Sequence, residues 1–210
     1  MPVTGLYFIA EQTSTSNSPP INITLLDRLQ KRHQPIAAGG YRLDHRLLRS
    51  TAPSSGSSGS SGGPDGSSGG GPSPPAFLQY LEIPHLSPIP FALCGSAIVT
   101  IDRDFAQILK TKLSTLWTLR QTLRAEGHCY EVDDFRVRVG RVMGDQVRGV
   151  VVEVEYLPVD TMNAGEAVLK DFIEGLQLPF PGRWVLGTEK TKEWTVLDTG
   201  RLYCELLRFR

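Results

Sequence analysis

Glu153 and Glu155 are the residues of this sequence best spaced to do chemistry. They lie two apart, and alternate side chains of a β-strand share a face. Two carboxylates turned into a barrel could hold a divalent cation and serve ligand binding or phosphoryl chemistry. The plainer reading is a solvated strand face opposite Val152 and Val154. His33, His45, His85 and His128 are scattered, and none has a second His, Cys or acid at ligand spacing. Cys94, Cys129 and Cys204 are widely spaced and form no CxxC pair, so zinc-ribbon and thioredoxin-like chemistry lacks its ligands. Gly59-Ser60-Ser61-Gly62-Gly63 fits the GxSxG spacing of a hydrolase elbow, but no strand precedes it and no helix follows. Asp102 and Asp104 flank a helix start, where the helix dipole favours acids anyway. Every candidate lacks a necessary member. The sequence predicts no catalytic centre, no cofactor and no metal site.

Charge agrees with that restraint. Lys and Arg number 22, and so do Asp and Glu. Such a balance supplies no general field to draw nucleic acid or an anionic membrane, so direct binding to either is not expected. Three free thiols suit a reducing compartment. The start, Met1-Pro2-Val3-Thr4-Gly5, lacks the basic and apolar regions of a secretory signal. No apolar run approaches the roughly 18 residues of a membrane span. These points predict a soluble protein of the cytosol or nucleus.

The elements that would position these residues can be read from periodicity. Val3 to Ala10 is apolar and β-branched, a buried strand. Thr24 to Asp27 reads as a capping pattern for a short helix, Ile23 to His33. Gly39-Gly40 closes that region, and Tyr41 to Leu48 alternates as a half-buried strand. Pro53 to Pro75 is Gly, Ser and Pro with one Asp and no apolar side chain. Such a tract cannot offset the entropy of ordering, and it reads as a flexible insert in one domain spanning 1–210. Phe77 to Ile83 and Phe91 to Ile101 are further strands. Tyr130 to Asp133, Phe135 to Val139 and Val147 to Leu157 form an antiparallel meander with a turn at Gly144-Asp145-Gln146. Asn163 to Leu176 and Thr199 to Phe209 read as helices, and Trp184 to Val196 as either strand or loop. Trp184 and Trp194 suit a core or an interface equally.

Between the strands, Asp104 to Arg124 reads as one long amphipathic helix closed by Gly127. At about 100° per residue, Phe105, Ile108, Leu109, Leu113, Leu116, Leu119 and Leu123 share an arc, with Trp117 at its edge. Lys112 and Arg120 fall inside that arc. Three accounts stand for them: stems laid on apolar surface with the charges in water, ion pairs with Glu153 or Glu155, or a partner-facing anion site.

The stretch Ile108 to Gln121, with its Lys112-Leu113-Ser114, Trp117 and Arg120-Gln121, resembles the central helix of Mediator complex subunit 20. Tyr130 to Asp133, Phe135 to Val139, Gly149 to Glu155 and the opening Leu6 to Glu11 resemble that family too. The likeness is good from about Phe91 to Tyr156, fair over the first fifty residues and weak after Pro158. It implies a nuclear, non-catalytic subunit of the Mediator head, a coactivator of RNA polymerase II. It also implies a β-barrel-like fold, a heterodimer with subunit 18, and a tether to the head through subunit 8. The family is also called TATA-binding-protein-related, but a balanced charge gives DNA binding poor support.

The expected fold is therefore α+β, an antiparallel barrel-like sheet with a long central helix and further packed helices. Lys112, Trp117 and Arg120 are the candidate structural or partner-contact residues. The rival is a barrel that binds a small ligand or hydrolyses triphosphates through Glu153 and Glu155. It resembles the triphosphate tunnel enzymes, except that Leu157 stands where their strand carries a lysine.

Overall fold

The computed structural model describes residues 1–11, 19–51 and 76–209. The Gly/Ser/Pro tract, Pro53 to Pro75, lies outside the described residues. Nine strands join one sheet in the order β5-β4-β3-β2-β6-β7-β8-β1-β9. They are β1 (Val3–Ala10), β2 (Ile36–Ser50), β3 (Phe77–Glu82), β4 (Phe91–Cys94), β5 (Ala97–Thr100), β6 (Trp117–Val132), β7 (Phe135–Met143), β8 (Val147–Tyr156) and β9 (Arg183–Val185). Every pairing is antiparallel. The helices are α1 (Ile21–Arg32), α2 (Phe105–Thr111), α3 (Met162–Gly175) and α4 (Val196–Leu206). The α+β class and the β6-β7-β8 meander agree with the sequence pattern.

The sheet curls without closing. Its edge strands, β5 and β9, are short and do not pair with each other. Helix α4 lies between them, touching β3, β4 and β5 on one side and β1 and β9 on the other. The barrel is thus completed by a helix rather than by hydrogen bonds. Along α4, Leu202, Tyr203, Cys204 and Leu206 are all buried. Thr195 begins the helix in a reciprocal capping box with Asp198. Helices α1 and α3 cover the convex face of β7, β8 and β1. Both faces of β8 are therefore covered, and Val150, Val151, Val152 and Val154 are all buried.

The expected long helix is not present. Helix α2 stops at Thr111, the chain turns through Leu113 to Leu116, and Trp117 begins a strand of 16 residues. Leu123 and Ala125 turn inward with the strand period of two, while Leu119, beyond an extra residue at Arg120, stays exposed. The run also carries Thr115, Trp117, Thr118 and Thr122, types that favour strands. Pairing with β2 from Ser50 to Ile36 decides the outcome. Gly127 accordingly caps no helix. It faces Gly140 across β6 and β7, where a Cβ would stand 1.8 Å from the Val139 carbonyl oxygen. Gly140 in turn leaves room for the Tyr41 ring, whose Cε1 would lie 2.2 Å from any Cβ there.

Smaller differences are local. Helix α1 starts after Pro20 with no side-chain cap, because the Thr24 hydroxyl donates back to the Pro20 carbonyl. Gly39 and Gly40 lie inside β2 rather than after a helix. Phe91 to Ile101 folds as two strands about Gly95, at φ 60°. A second apolar cluster of Leu48, Leu78, Tyr80, Ala92 and Leu109 forms outside the main core, with Phe105, Leu113 and Trp117 against it.

Candidate functional site

The acidic pair of β8 sits inside the curled sheet. Register sets Glu153 opposite Arg138 and Glu155 opposite Arg136 on β7. Glu153 and Glu155 are only 2% and 6% exposed. That corrects the solvated-face expectation: alternation puts both carboxylates on the concave side, which α4 fills.

Both Glu153 oxygens and Glu155 Oε2 are engaged. Arg138 Nη1 donates to Glu153 Oε1 and, at 3.2 Å, to Glu155 Oε2. Arg136 reaches the same Glu155 oxygen at 3.4 Å and turns its other nitrogen to Glu131. The remaining Glu153 oxygen accepts the hydroxyl of Tyr203 from α4. It also accepts His85 Nε2–H, at 3.1 Å, from the loop after β3. Tyr41 of β2 then donates to the Tyr203 oxygen at 3.0 Å. Four segments of chain meet at the Glu153 carboxylate, and β2 joins them as a fifth through Tyr203.

Electrostatics follow from that geometry. Burial alone would raise the Glu153 carboxyl. The His85 hydrogen bond and charge, the Arg138 charge and the Tyr203 hydrogen bond outweigh it and hold Glu153 at about 2. Burial beside that anion pushes the Tyr203 and Tyr41 hydroxyls well above the usual phenol range. Burial would lower Arg138, but its two carboxylates outweigh this and raise it. The cluster is thus an ionised carboxylate pair met by a fixed guanidinium and neutral phenols. Both Glu153 oxygens and one Glu155 oxygen are committed to protein donors, and the cluster's chemistry as it stands is to fasten α4 to the sheet. Among the described residues, no three His, Cys, Asp or Glu side chains converge as metal ligands.

The sequence-derived candidates lie elsewhere. Lys112 is exposed at the end of α2, Trp117 is half-buried at the start of β6 and Arg120 is exposed. Neither Lys112 nor Arg120 pairs with Glu153 or Glu155; the sheet's own Arg136 and Arg138 do. The arc that was to bury Lys112 and Arg120 exists only for a helix. Sequence reasoning missed Arg138, Tyr203, His85 and Tyr41. A signal for Arg138 was present: Arg136-x-Arg138 and Glu153-x-Glu155 alternate on consecutive strands of one hairpin. The others come from distant segments and carry none.

His33 and His45 have structural partners, Asp133 and Gln79. His45 is fully buried on β2, with Nε2–H given to Gln79 Oε1 at 2.9 Å and Nδ1 unpartnered. Burial lowers it from 6.5 to about 4, against a small opposing effect of Gln79. The ring is neutral.

Fold and interior define an α+β protein whose curled antiparallel sheet is filled by its own C-terminal helix. Residues 1–208 match the family of the TATA-binding related factor of subunit 20 of the Mediator complex, and the chain belongs to that family. A curated relative is Mediator of RNA polymerase II transcription subunit 20b of Arabidopsis thaliana, 32% identical over 99 residues. The aligned stretch spans 46% of this chain and 44% of that protein. Among solved structures, a protein of Pyrococcus horikoshii OT3 is 10% identical with a TM-score of 0.46, over 85% of this chain and 91% of that one. A putative adenylyl cyclase of Hippeastrum, described as having a dominant triphosphatase activity, is 9% identical with a TM-score of 0.44, over 91% and 93% of the two chains. Likenesses of that size carry no functional argument.

Proposed function

We propose that this chain is a non-catalytic subunit of the Mediator head, acting in the nucleus as one folded domain with an insert at 53–75. Its work is scaffolding. It pairs with subunit 18, is tethered through subunit 8, and reaches RNA polymerase II only through the assembled complex. The observation that carries the non-catalytic reading is the state of the acidic pair. Glu153 and Glu155 are bound to Arg138, Arg136, Tyr203 and His85, side chains of the protein itself.

Binding is left to the surface. Ile108, Leu116 and Leu119 are 44%, 50% and 53% exposed around the turn from α2 into β6. Large exposed apolar side chains close together in sequence are candidates for a partner contact. Lys112, Trp117 and Arg120 belong to the same segment, and we assign them to the partner contact. Co-expression with a subunit-18-type protein tests this. A stable heterodimer that is lost when Leu116 and Leu119 are both changed to Asp is the expected result. A monodisperse chain with no affinity for that partner would refute it. Incubation with a nucleoside triphosphate and magnesium or manganese should yield no phosphate, and measured turnover abolished by Glu153→Gln would overturn the non-catalytic reading.

A further inference from the structure

Two arginines stand at β-bulges, and both line one cleft. In the pairing of β2 with β6, Leu47 faces Gln121 and Leu48 faces Leu119, so Arg120 is the extra residue. In the pairing of β7 with β8, Val142 faces Gly149 and Met143 faces Val147, so Arg148 is the extra residue. A bulge leaves its extra residue out of the ladder and re-aims the side chain. Gly149 helps to set the second bulge: its φ is 146°, and a Cβ there would lie 2.1 Å from the Ile9 carbonyl oxygen.

The cleft lies at the end of the sheet where α4 finishes. It is lined by Leu119, Arg120, Gln121, Asp145, Arg148 and Phe209, among others. Gln121 is already engaged, its amide donating to the Leu207 carbonyl at 3.2 Å. Arg148 lies over the Phe209 ring at 6.0 Å. Among the described residues, no carboxylate pairs with Arg120 or Arg148, although Asp145 lines the same cleft. Leu119 adds an exposed apolar wall. Two forked cations, an aromatic ring and an aliphatic side chain thus share one open concavity. Guanidinium forks match carboxylates in a bidentate way, and the ring and Leu119 suit an apolar side chain between them.

We infer that this cleft docks an acidic segment of a protein partner, with two carboxylates flanking an apolar residue, held by Arg120 and Arg148. The proposal goes beyond the pairing proposed above and does not depend on which subunit supplies the segment.

The test uses the full chain and a fluorescent peptide with Asp on both sides of a Leu-Phe pair. Its controls are the same peptide with Asn for Asp, and a single-stranded DNA of equal charge. The acidic peptide should bind, with affinity falling as salt rises. Arg120→Gln and Arg148→Gln should each weaken it by about tenfold, the size of one charge-assisted contact. Arg124→Gln, whose guanidinium is already paired with Asp44, should leave it unchanged. Equal binding of the Asn peptide would overturn the inference, as would unchanged binding by the double variant or stronger binding of the DNA. Heterodimer formation is measured in parallel on the double variant. A pair that still forms while peptide binding is lost supports the cleft and removes Arg120 from the heterodimer contact. A heterodimer that fails to form with native arginines present refutes the pairing and leaves the cleft standing.

Discussion

Tyr203, on the last helix, gives its hydroxyl proton to the carboxylate of Glu153, fifty residues earlier in the chain and on a central strand. That single contact joins α4 to the interior of a sheet whose edges never meet. Tyr203→Phe keeps the ring and removes the donor. It leaves Glu153 short of one hydrogen bond and the Tyr41 hydroxyl without its acceptor, a loss of about 1–3 kcal/mol. In a chain of this size that lowers the melting temperature by roughly 2–4 °C per kcal/mol. An unchanged denaturation midpoint would mean that the hold on α4 does not depend on this hydrogen bond.

Arg138 offers the sharper test of the same cluster. Arg138→Met fits an aliphatic chain into the same space but strands two buried carboxylates, which typically costs about 3–5 kcal/mol. Adding Glu153→Gln should restore part of that loss, because one uncompensated charge is gone. A double-mutant cycle by urea denaturation reads the coupling. Simple additivity would show that the two side chains do not act on each other.

Acid should weaken the fold in two successive windows. His45 titrates at about 4 when folded and at 6.5 otherwise. Between those values the unfolded chain binds the extra proton, so stability rises with pH and is lost as pH falls from 6.5 to 4. The full window is on the order of 3 kcal/mol. Glu153, at about 2 against 4.5, contributes stability that is present above 4.5 and is lost as pH falls toward 2. His45→Gln should flatten the upper window and leave the lower one in place. A variant with the original slope between pH 6.5 and 4 would clear His45 of that role.

Strand and helix readings of the 105–124 stretch make opposite demands on two leucines. On a helix, Leu119 and Leu123 share the buried arc. In the sheet, Leu123 is 1% exposed and Leu119 is 53% exposed. Leu123→Ala should therefore cost about 2–5 kcal/mol, and Leu119→Ala no more than about 0.5 kcal/mol. Equal losses in guanidinium titrations would restore the helix.

Gly149→Ala should destabilise the chain by about 1 kcal/mol or more, because the left-handed backbone and the Ile9 carbonyl both oppose a Cβ. It should also reduce the acidic-peptide affinity proposed for Arg148. Full affinity in a folded Gly149→Ala protein would mean that the bulge does not aim that arginine.

Much of the fold was legible in the residues. Val3 to Ala10 is a strand at the predicted bounds, because an unbroken β-branched and aromatic run has no other way to be buried. The meander followed from alternation on either side of Asp133-Asp134 and Gly144-Asp145, and α3 from a 3.6-residue apolar stripe. The family, too, was legible in the order and spacing of several short patterns. Local periodicity, turn chemistry and composition need no partner from elsewhere in the chain, so sequence alone determines them.

The rest depended on what each segment meets. Whether Trp117 to Arg124 is helix or strand was decided by β2, since its strand-favouring types compete with a helical apolar arc and only the pairing chooses between them. Whether Glu153 and Glu155 face water or the interior was decided by α4, which fills the concave side they share. Arg120 keeps its prominence but changes its setting, from a misplaced charge on a helix to the bulged residue at the rim of a cleft. Pairings between residues 15, 50 and 68 positions apart gather around one carboxylate. No periodicity records such distances, because the free energy that fixes them appears only when the sheet has curled and the helix has entered it.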